Sequence, residues 1–270
     1  MRSAMLGDLT RYYTEHGIAA LSFNCPYQAD CSRGARGFVP AREPFIGTDY
    51  ELGTLPRLLF ISLDPANDIV GNAPEERTLS AVREWEAKQS RSSNGHATFK
   101  KQAHWYRTYE FAQTILAPIA HSRGESALTF QKMHKYFAHT NSAKCKDVPA
   151  GTGQGPERVF RNCREFIPGE VEILRPDIIA TQGKNARLSI SGAYEVLVVG
   201  ANRNRDYRAE VVVIGSRPVL KFETHHPNRR DNEYRLERRE AWHWYTKVAS
   251  TFSVGGVRAL VDEYGFDVAE

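Results

Sequence analysis

The chain has 270 residues, 41% hydrophobic and 25% charged, the ordinary balance of a soluble globular protein with room for a sizeable core. Its formal charge is +4 and its pI about 8.8, a mild excess of base that permits an anionic partner without specifying one. The N-terminus "MRSAMLGDLTRYYTEHG" lacks the apolar stretch of a signal peptide, and no apolar run approaches the roughly 18 residues of a membrane span. The expectation is a cytoplasmic protein with no membrane contact, whose four cysteines do not form a disulfide framework.

In chain order, "LGDLTRYYTEHGIAAL" has the spacing of an amphipathic helix, and residues 22–56 read as irregular, with Cys25, Cys31 and several Gly and Pro. "RLLFISLDP" (57–65) predicts a buried strand that stops at a proline. "PEERTLSAVREWEAKQ" opens with Pro74 and acidic residues, a helix start; 90–101 is a polar loop, and 104–119 has helical apolar spacing. "TFQKMHKYFAHTNSAK" predicts a short helix running into a strand that ends near Asn141, before a Gly-rich loop at 149–157. "VFRNCREFIPGEVEILRP" reads as a helix that Pro168 should kink or divide. "DIIATQG" (177–183) is a second compact strand with a helix after it. Three β-rich stretches follow, then a long helix over 231–252 and a last short one.

Strands alternating with helices predict an α/β fold, a central, mostly parallel sheet flanked by helices on both faces. We expect a single domain: an N-terminal helix and cysteine-bearing segment (1–56), an α/β core (57–252) and a C-terminal helix (253–270). In such sheets ligands bind at the carboxyl ends of strands. Three polar clusters fall at such ends: Asp64-Pro65-Ala66-Asn67, Thr140-Asn141-Ser142 and His225-His226-Pro227-Asn228.

The cysteines are spaced Cys25-x5-Cys31 and Cys145-x17-Cys163. A site using all four thiolates would tie the N-terminal segment to the sheet, and four thiolates suit either tetrahedral zinc or an iron–sulfur cluster. Four unconnected buried thiols are the plain alternative, since no tight C-x2-C pair is present.

Together these segments resemble the uracil-DNA glycosylase superfamily, and most closely its iron–sulfur branch (families four and five). The likeness covers roughly residues 20 to 250. "TNSAKC" (140–145) matches that branch's T-N-x-x-K-C strand end; Cys163 and "LRPDIIATQGKNA" (174–186) follow in the same order, and "THHPN" matches its late H-P motif. The first pair departs from the branch, being C-x5-C where C-x2-C is usual. "SLDPAND" (62–68) looks instead like the first motif of the family-one enzymes, with Asp64 at the water-activating position and Ala66 where those enzymes place a tyrosine against the base C5 atom. The resemblance implies a three-layer glycosylase-like sandwich. It also implies a 4Fe-4S cluster on Cys25, Cys31, Cys145 and Cys163, preferred to zinc.

Cleaving an N-glycosidic bond develops positive charge on the sugar and negative charge on the departing base, so aids are needed on both sides of the bond. Asp64 suits the sugar side, where a carboxylate stabilises the cation and orients water, as in glycoside hydrolysis; Asp before proline is also a common turn residue. His226 suits donation to the pyrimidine O2, and is preferred to His225 because the family motif has His directly before Pro. Asn141 carries a donor and an acceptor, enough to read a base edge. Trp105, from "HWY", is the candidate to stack on a base flipped from the duplex, although aromatics at helical spacing are more often core. Arg229, Arg230 and the neighbouring Asn228 would face DNA, gripping phosphates or filling the space the base leaves. The expected function is a monofunctional, monomeric DNA glycosylase without a protein partner, excising uracil or a 5-modified pyrimidine in repair. Alternatives are a glycosylase specific for hypermodified phage bases in antiviral defence, an inactive cluster-bearing nucleic-acid-binding module, and a zinc-stabilised domain of unrelated function.

Overall fold

The computed structural model describes residues 4–35, 37–63, 65, 72–91, 103–146, 155–202, 207–227 and 232–269, with backbone alone at 89–91, 103 and 232–237. Helices α1 (Ala4–Glu15) and α2 (Gln28–Ser32) lead to strand β1 (Phe45–Ile46), α3 (Thr48–Leu52) and β2 (Leu58–Ser62). Then come α4 (Leu79–Arg91), α5 (Ala103–Ser122), β3 (Phe137–Asn141), α6 (Glu157–Cys163), α7 (Phe166–Leu174), β4 (Ile178–Gln182) and α8 (Lys184–Leu188). The chain closes with β5 (Val196–Ala201), β6 (Arg208–Ile214), β7 (Arg217–Thr224), α9 (Asn232–Tyr264) and β8 (Asp267–Val268).

All eight strands form one mixed sheet in the order β1-β3-β2-β4-β7-β6-β5-β8. The four central strands, β3, β2, β4 and β7, run parallel, while β1 on one edge and β6, β5 and β8 on the other are antiparallel additions. The fold is therefore α/β with a parallel centre. The antiparallel half has a local cause: β6 and β7 are joined by Gly215-Ser216 alone, both at positive φ (52° and 66°), a hairpin too short for a parallel crossover.

Every residue of β2, β3 and β4 is buried, which explains their unbroken apolar runs. Alternate residues face opposite sides. Leu58, Phe60, Phe137, Ile178 and Ala180 join one core with Tyr109, Ala112, Ile115 and Leu116 of α5 and Tyr245 and Val248 of α9. Leu59, Ile61, Ala138 and Ile179 join the other with Leu9 of α1 and Ile167, Val171 and Leu174 of α7. Phe60 lies edge-on to Phe137 and Phe111 at 5.4 and 5.9 Å, contacts worth about 0.5–1.5 kcal/mol each beyond burial.

Three expectations need revision. The segment 22–56 is not wholly irregular: α2, α3 and β1 lie in it, and β1 pairs antiparallel with β3. The helix carrying Pro168 divides, but at Arg164-Glu165, leaving the proline in the first turn of α7, where no intrahelical N–H bond is required. The C-terminal segment is not a separate helix alone. α9 runs on to Tyr264 across a break at Gly256 (φ 64°, ψ −151°), and β8 then returns to pair with β5. Among the described residues no helix is long and apolar enough to cross a membrane.

The polar end of β3 is held by a buried ion pair. Lys144 (1% exposed) donates from Nζ to Glu170 Oε2 of α7 and to Thr140 Oγ1 at 2.6 Å; Thr140 Oγ1 and Tyr13 Oη of α1 both donate to Glu170 Oε1. Removing one member leaves the other charge buried and unpaired, a loss of about 3–5 kcal/mol. Lys144→Met should therefore lower the unfolding free energy by about that amount in a urea titration, and Lys144→Met/Glu170→Leu should recover a large part of it. A single variant as stable as the parent would contradict the pairing.

Candidate active site and metal centre

The carboxyl ends of β3, β2 and β4 lie side by side, with Asn141 opposite Ser62 in register and Gln182 one strand further on. Asn141, Ser62 and Gln182 are 5%, 2% and 3% exposed. By strand alternation they share the α5 side of the sheet with His139. Helix α5 brings His104 and Trp105 onto this group: His104 Nε2 is 3.4 Å from Ser62 Oγ and 3.5 Å from His139 Nε2, and the Trp105 ring centroid is 4.7 Å from that of His139. His226, just beyond β7, lies with its ring 5.2 Å from His104 at 33°. Gly183, at φ 104° where glycine is favoured, lies beneath it: a Cβ there would stand 3.4 Å from the His226 Cβ, an ordinary contact. Arg107 of α5 donates to the carbonyl of Pro227 and so fixes the loop that carries His226.

The three imidazoles are held neutral. Burial, then the charges of His226 and Arg42, lowers His104 from 6.5 to about 3; burial and Arg107 lower His226 to about 4; burial and the neighbouring His104 push His139 well below the usual range. At neutral pH each ring offers one N–H and one lone pair. Asn141 differs from its neighbours, because its side-chain amide makes no hydrogen bond to any described residue. Its amide atoms are not among the buried atoms left without a partner, so they face open space at the strand end, where a ligand can reach them.

The structure brings together three of the residues singled out in the sequence: Asn141, His226 and Trp105. His226 is the partly buried member of the His pair and His225 the exposed one. Trp105 is only 7% exposed, with His139 against its ring and the Arg42 guanidinium 5.7 Å from its centroid, so it forms the wall of the site behind His139. Asp64, Ala66, Asn228, Arg229 and Arg230 lie outside the described residues. Leu63, immediately before Asp64, is pinned through its carbonyl by Ala143 N–H and Ser142 Oγ, both at 3.1 Å. Sequence reasoning missed Ser62, His104, His139 and Gln182. The available signal was a polar residue closing or interrupting each of three otherwise apolar strands, in "LLFIS", "FAHTN" and "IIATQ".

The cysteines lie on the other side of β3. All four are buried free thiols in one cluster with Tyr13, Phe160 and Phe166. Residues 39–42 run antiparallel to 144–146, through Val39–Lys146 and Arg42–Lys144 backbone bonds, which brings the N-terminal pair to Cys145. Asn162 of α6 then bridges to α2, donating to Asp30 Oδ2 and to the Cys31 sulfur at 3.4 Å. The backbone N–H of Lys144 donates to the Cys163 sulfur at 3.3 Å. Burial first, then neighbouring thiols, drives Cys145 well above its ordinary pKa; burial takes Cys163 to about 12. Such thiols are inert as nucleophiles, so a catalytic cysteine has no support here. Among the described residues no group of three or more His, Cys, Asp or Glu side chains forms a ready-made ion site. The chemistry of the donor set does fit a thiophilic metal group: four buried thiols in one apolar cluster, two of them receiving N–H bonds of the kind that stabilise ligating thiolates.

No protein-family model and no curated protein matches the chain.

The cluster that the sequence resemblance implies and the buried histidines each give an outcome to measure. Anaerobically purified protein should carry iron and sulfide approaching the four of each that a 4Fe-4S cluster on Cys25, Cys31, Cys145 and Cys163 requires, with absorbance near 400 nm; stoichiometric zinc without iron would exclude the cluster. Because the histidines are depressed in the folded state, their stabilisation is fully present above pH 6.5 and is lost as pH falls toward about 4 and 3. Urea titrations between pH 6.5 and 5 should show stability falling by up to about 1.4 kcal/mol per pH unit for each such ring. The slope should be shallower in His104→Gln/His139→Gln, and a parent whose stability is flat over this range would contradict the assignment.

Proposed function

We propose that the protein is a monofunctional DNA glycosylase that hydrolyses the N-glycosidic bond of a flipped-out pyrimidine. The observation that carries this reading is the Asn141 amide, open to a ligand at the end of β3, on the same side of the sheet as the neutral His104–His226 imidazole pair at the ends of the parallel strands. An amide matches a base edge with one donor and one acceptor, and a neutral imidazole donates a proton without bringing a charge that would have to be desolvated. The sheet with helical cores on both faces is compatible with the three-layer glycosylase sandwich that the sequence resembles. A cytoplasmic monomer acting on DNA completes the reading, with Arg229 and Arg230 on the phosphates.

In this reading the base rests against Asn141 and the Trp105–His139 wall, and His226 donates to the pyrimidine O2. The C1′–N bond breaks with its electron pair leaving on the base, and the oxygen of water bonds to C1′. Asp64 stabilises the sugar cation and accepts the proton that water gives up. Ala66 leaves space at C5 that a tyrosine would fill, so 5-substituted pyrimidines belong beside uracil in any substrate panel. A 4Fe-4S cluster, when bound by the four cysteines, supplies a rigid cross-link between the N-terminal segment and β3.

Duplexes each carrying one defined base should show alkali-labile sites at the excised base. On a cleaved duplex, Asp64→Asn and His226→Ala should each slow single-turnover release by about 10²–10³ while binding the DNA. Asn141→Ala should lose about 1–3 kcal/mol of transition-state binding on every base. Parental rates in both Asp64→Asn and His226→Ala would refute these roles.

A further inference from the structure

Helix α5 contributes a histidine that no sequence motif pointed to, and the surrounding hydrogen bonds determine its tautomer. Thr108 Oγ1 donates to the carbonyl of His104 at 3.0 Å, so its lone pair accepts from Gln182 Nε2, also at 3.0 Å. That orients the Gln182 oxygen toward Ser62, whose hydroxyl donates to it at 2.5 Å, a separation suited to O–H···O rather than N–H···O. Having spent its only proton, Ser62 Oγ accepts from His139 Nε2 at 2.8 Å, which makes His139 the Nε2–H tautomer. His104 Nε2 stands 3.5 Å from that same nitrogen. His104 Nε2 is also 3.4 Å from Ser62 Oγ, which already accepts from His139; a second N–H there would crowd the His139 N–H at 3.5 Å, so the tautomer with a bare Nε2 and the proton on Nδ1 is favoured. The Nδ1–H has no partner among the described residues, and the ring it belongs to lies 5.2 Å from that of His226.

Resting on the glycosylase reading, we propose that His104 Nδ1–H is a second catalytic donor, which converges with His226 on the oxygen of the departing base. Ser62, His139, Gln182 and Thr108 are positioning residues: they touch no reacting atom but fix which nitrogen of His104 carries the proton. Two donors on one oxygen would form an oxyanion hole, and the negative charge that develops as the C1′–N bond breaks would be shared between two neutral imidazoles. His104 is partly buried, and the chain beneath it is buried at every link. The arrangement is thus preorganised before a base enters.

The test uses the mimicry of imidazole by amides: Asn places an N–H near Nδ1, Gln near Nε2. On the duplex that the parent cleaves fastest, His104→Ala should slow single-turnover release by about 10²-fold with DNA binding kept. His104→Asn should restore much of the rate, and His104→Gln should not. Equal rates for Asn and Gln, or a parental rate for Ala, would overturn the role. Long-range ¹H–¹⁵N correlation spectra of the parent protein give the tautomer independently of turnover. A protonated Nδ1 on His104 is expected, and a protonated Nε2 would overturn this inference alone. A parent inert on every duplex would instead overturn the glycosylase reading, and this role with it.

Discussion

The buried pair of Lys144 and Glu170 is the constraint on which the arrangement depends. A lysine three residues beyond a core strand would ordinarily turn to solvent, and its burial requires a compensating carboxylate in fixed geometry. Glu170 supplies that only if α7 lies against the end of β3, and Tyr13 completes the carboxylate's bonds only if α1 is docked there too. The same lysine gives its backbone N–H to Cys163 and its carbonyl to Arg42. One residue therefore fixes α1, α7, the Cys163 sulfur and the N-terminal segment relative to a single strand end.

That strand end separates two chemistries. Thr140 points to the Lys144–Glu170 network and the thiol cluster, and Asn141, one residue on, lies on the side with Ser62 and the histidines. The period-two alternation of a strand is enough to keep the buried thiol cluster apart from the polar group of Asn141, Ser62 and the histidines while coupling them through one backbone. Any group held by the cysteines acts on the histidine side only through the position of β3. A structural cross-link is the role that this geometry gives it.

Much of this was legible in the sequence. The apolar runs of β2 and β4 identified the parallel centre, and the polar clusters at 64–67, 140–142 and 225–228 the edge where side chains gather, although Ser62 and Gln182, which close β2 and β4, went unremarked. Asn141 and His226 were singled out through the motifs of the family resemblance, and the structure places both at strand ends on the sheet's carboxyl edge. The histidine group was not, because His104 lies on a helix more than 30 residues before His139, and only pairing of β3 with β2 beneath α5 brings them within 3.5 Å. The open character of the Asn141 amide was also invisible, since it depends on what its neighbours bond to. Pro168 misled about where its helix breaks: proline forbids the helix interior but suits a first turn, and the chain uses it in the second way.

The central claim is that one strand end holds a nucleobase on one side and sulfur ligands on the other. A crystal structure of Asp64→Asn, anaerobically prepared and bound to a duplex carrying the base it releases, tests this most directly. The account predicts the flipped base hydrogen-bonded to the Asn141 amide, its O2 facing His226, with a four-iron cluster on Cys25, Cys31, Cys145 and Cys163 behind Thr140. A base lodged away from Asn141, or DNA bound across a different face with Asn141 turned to solvent, would contradict it.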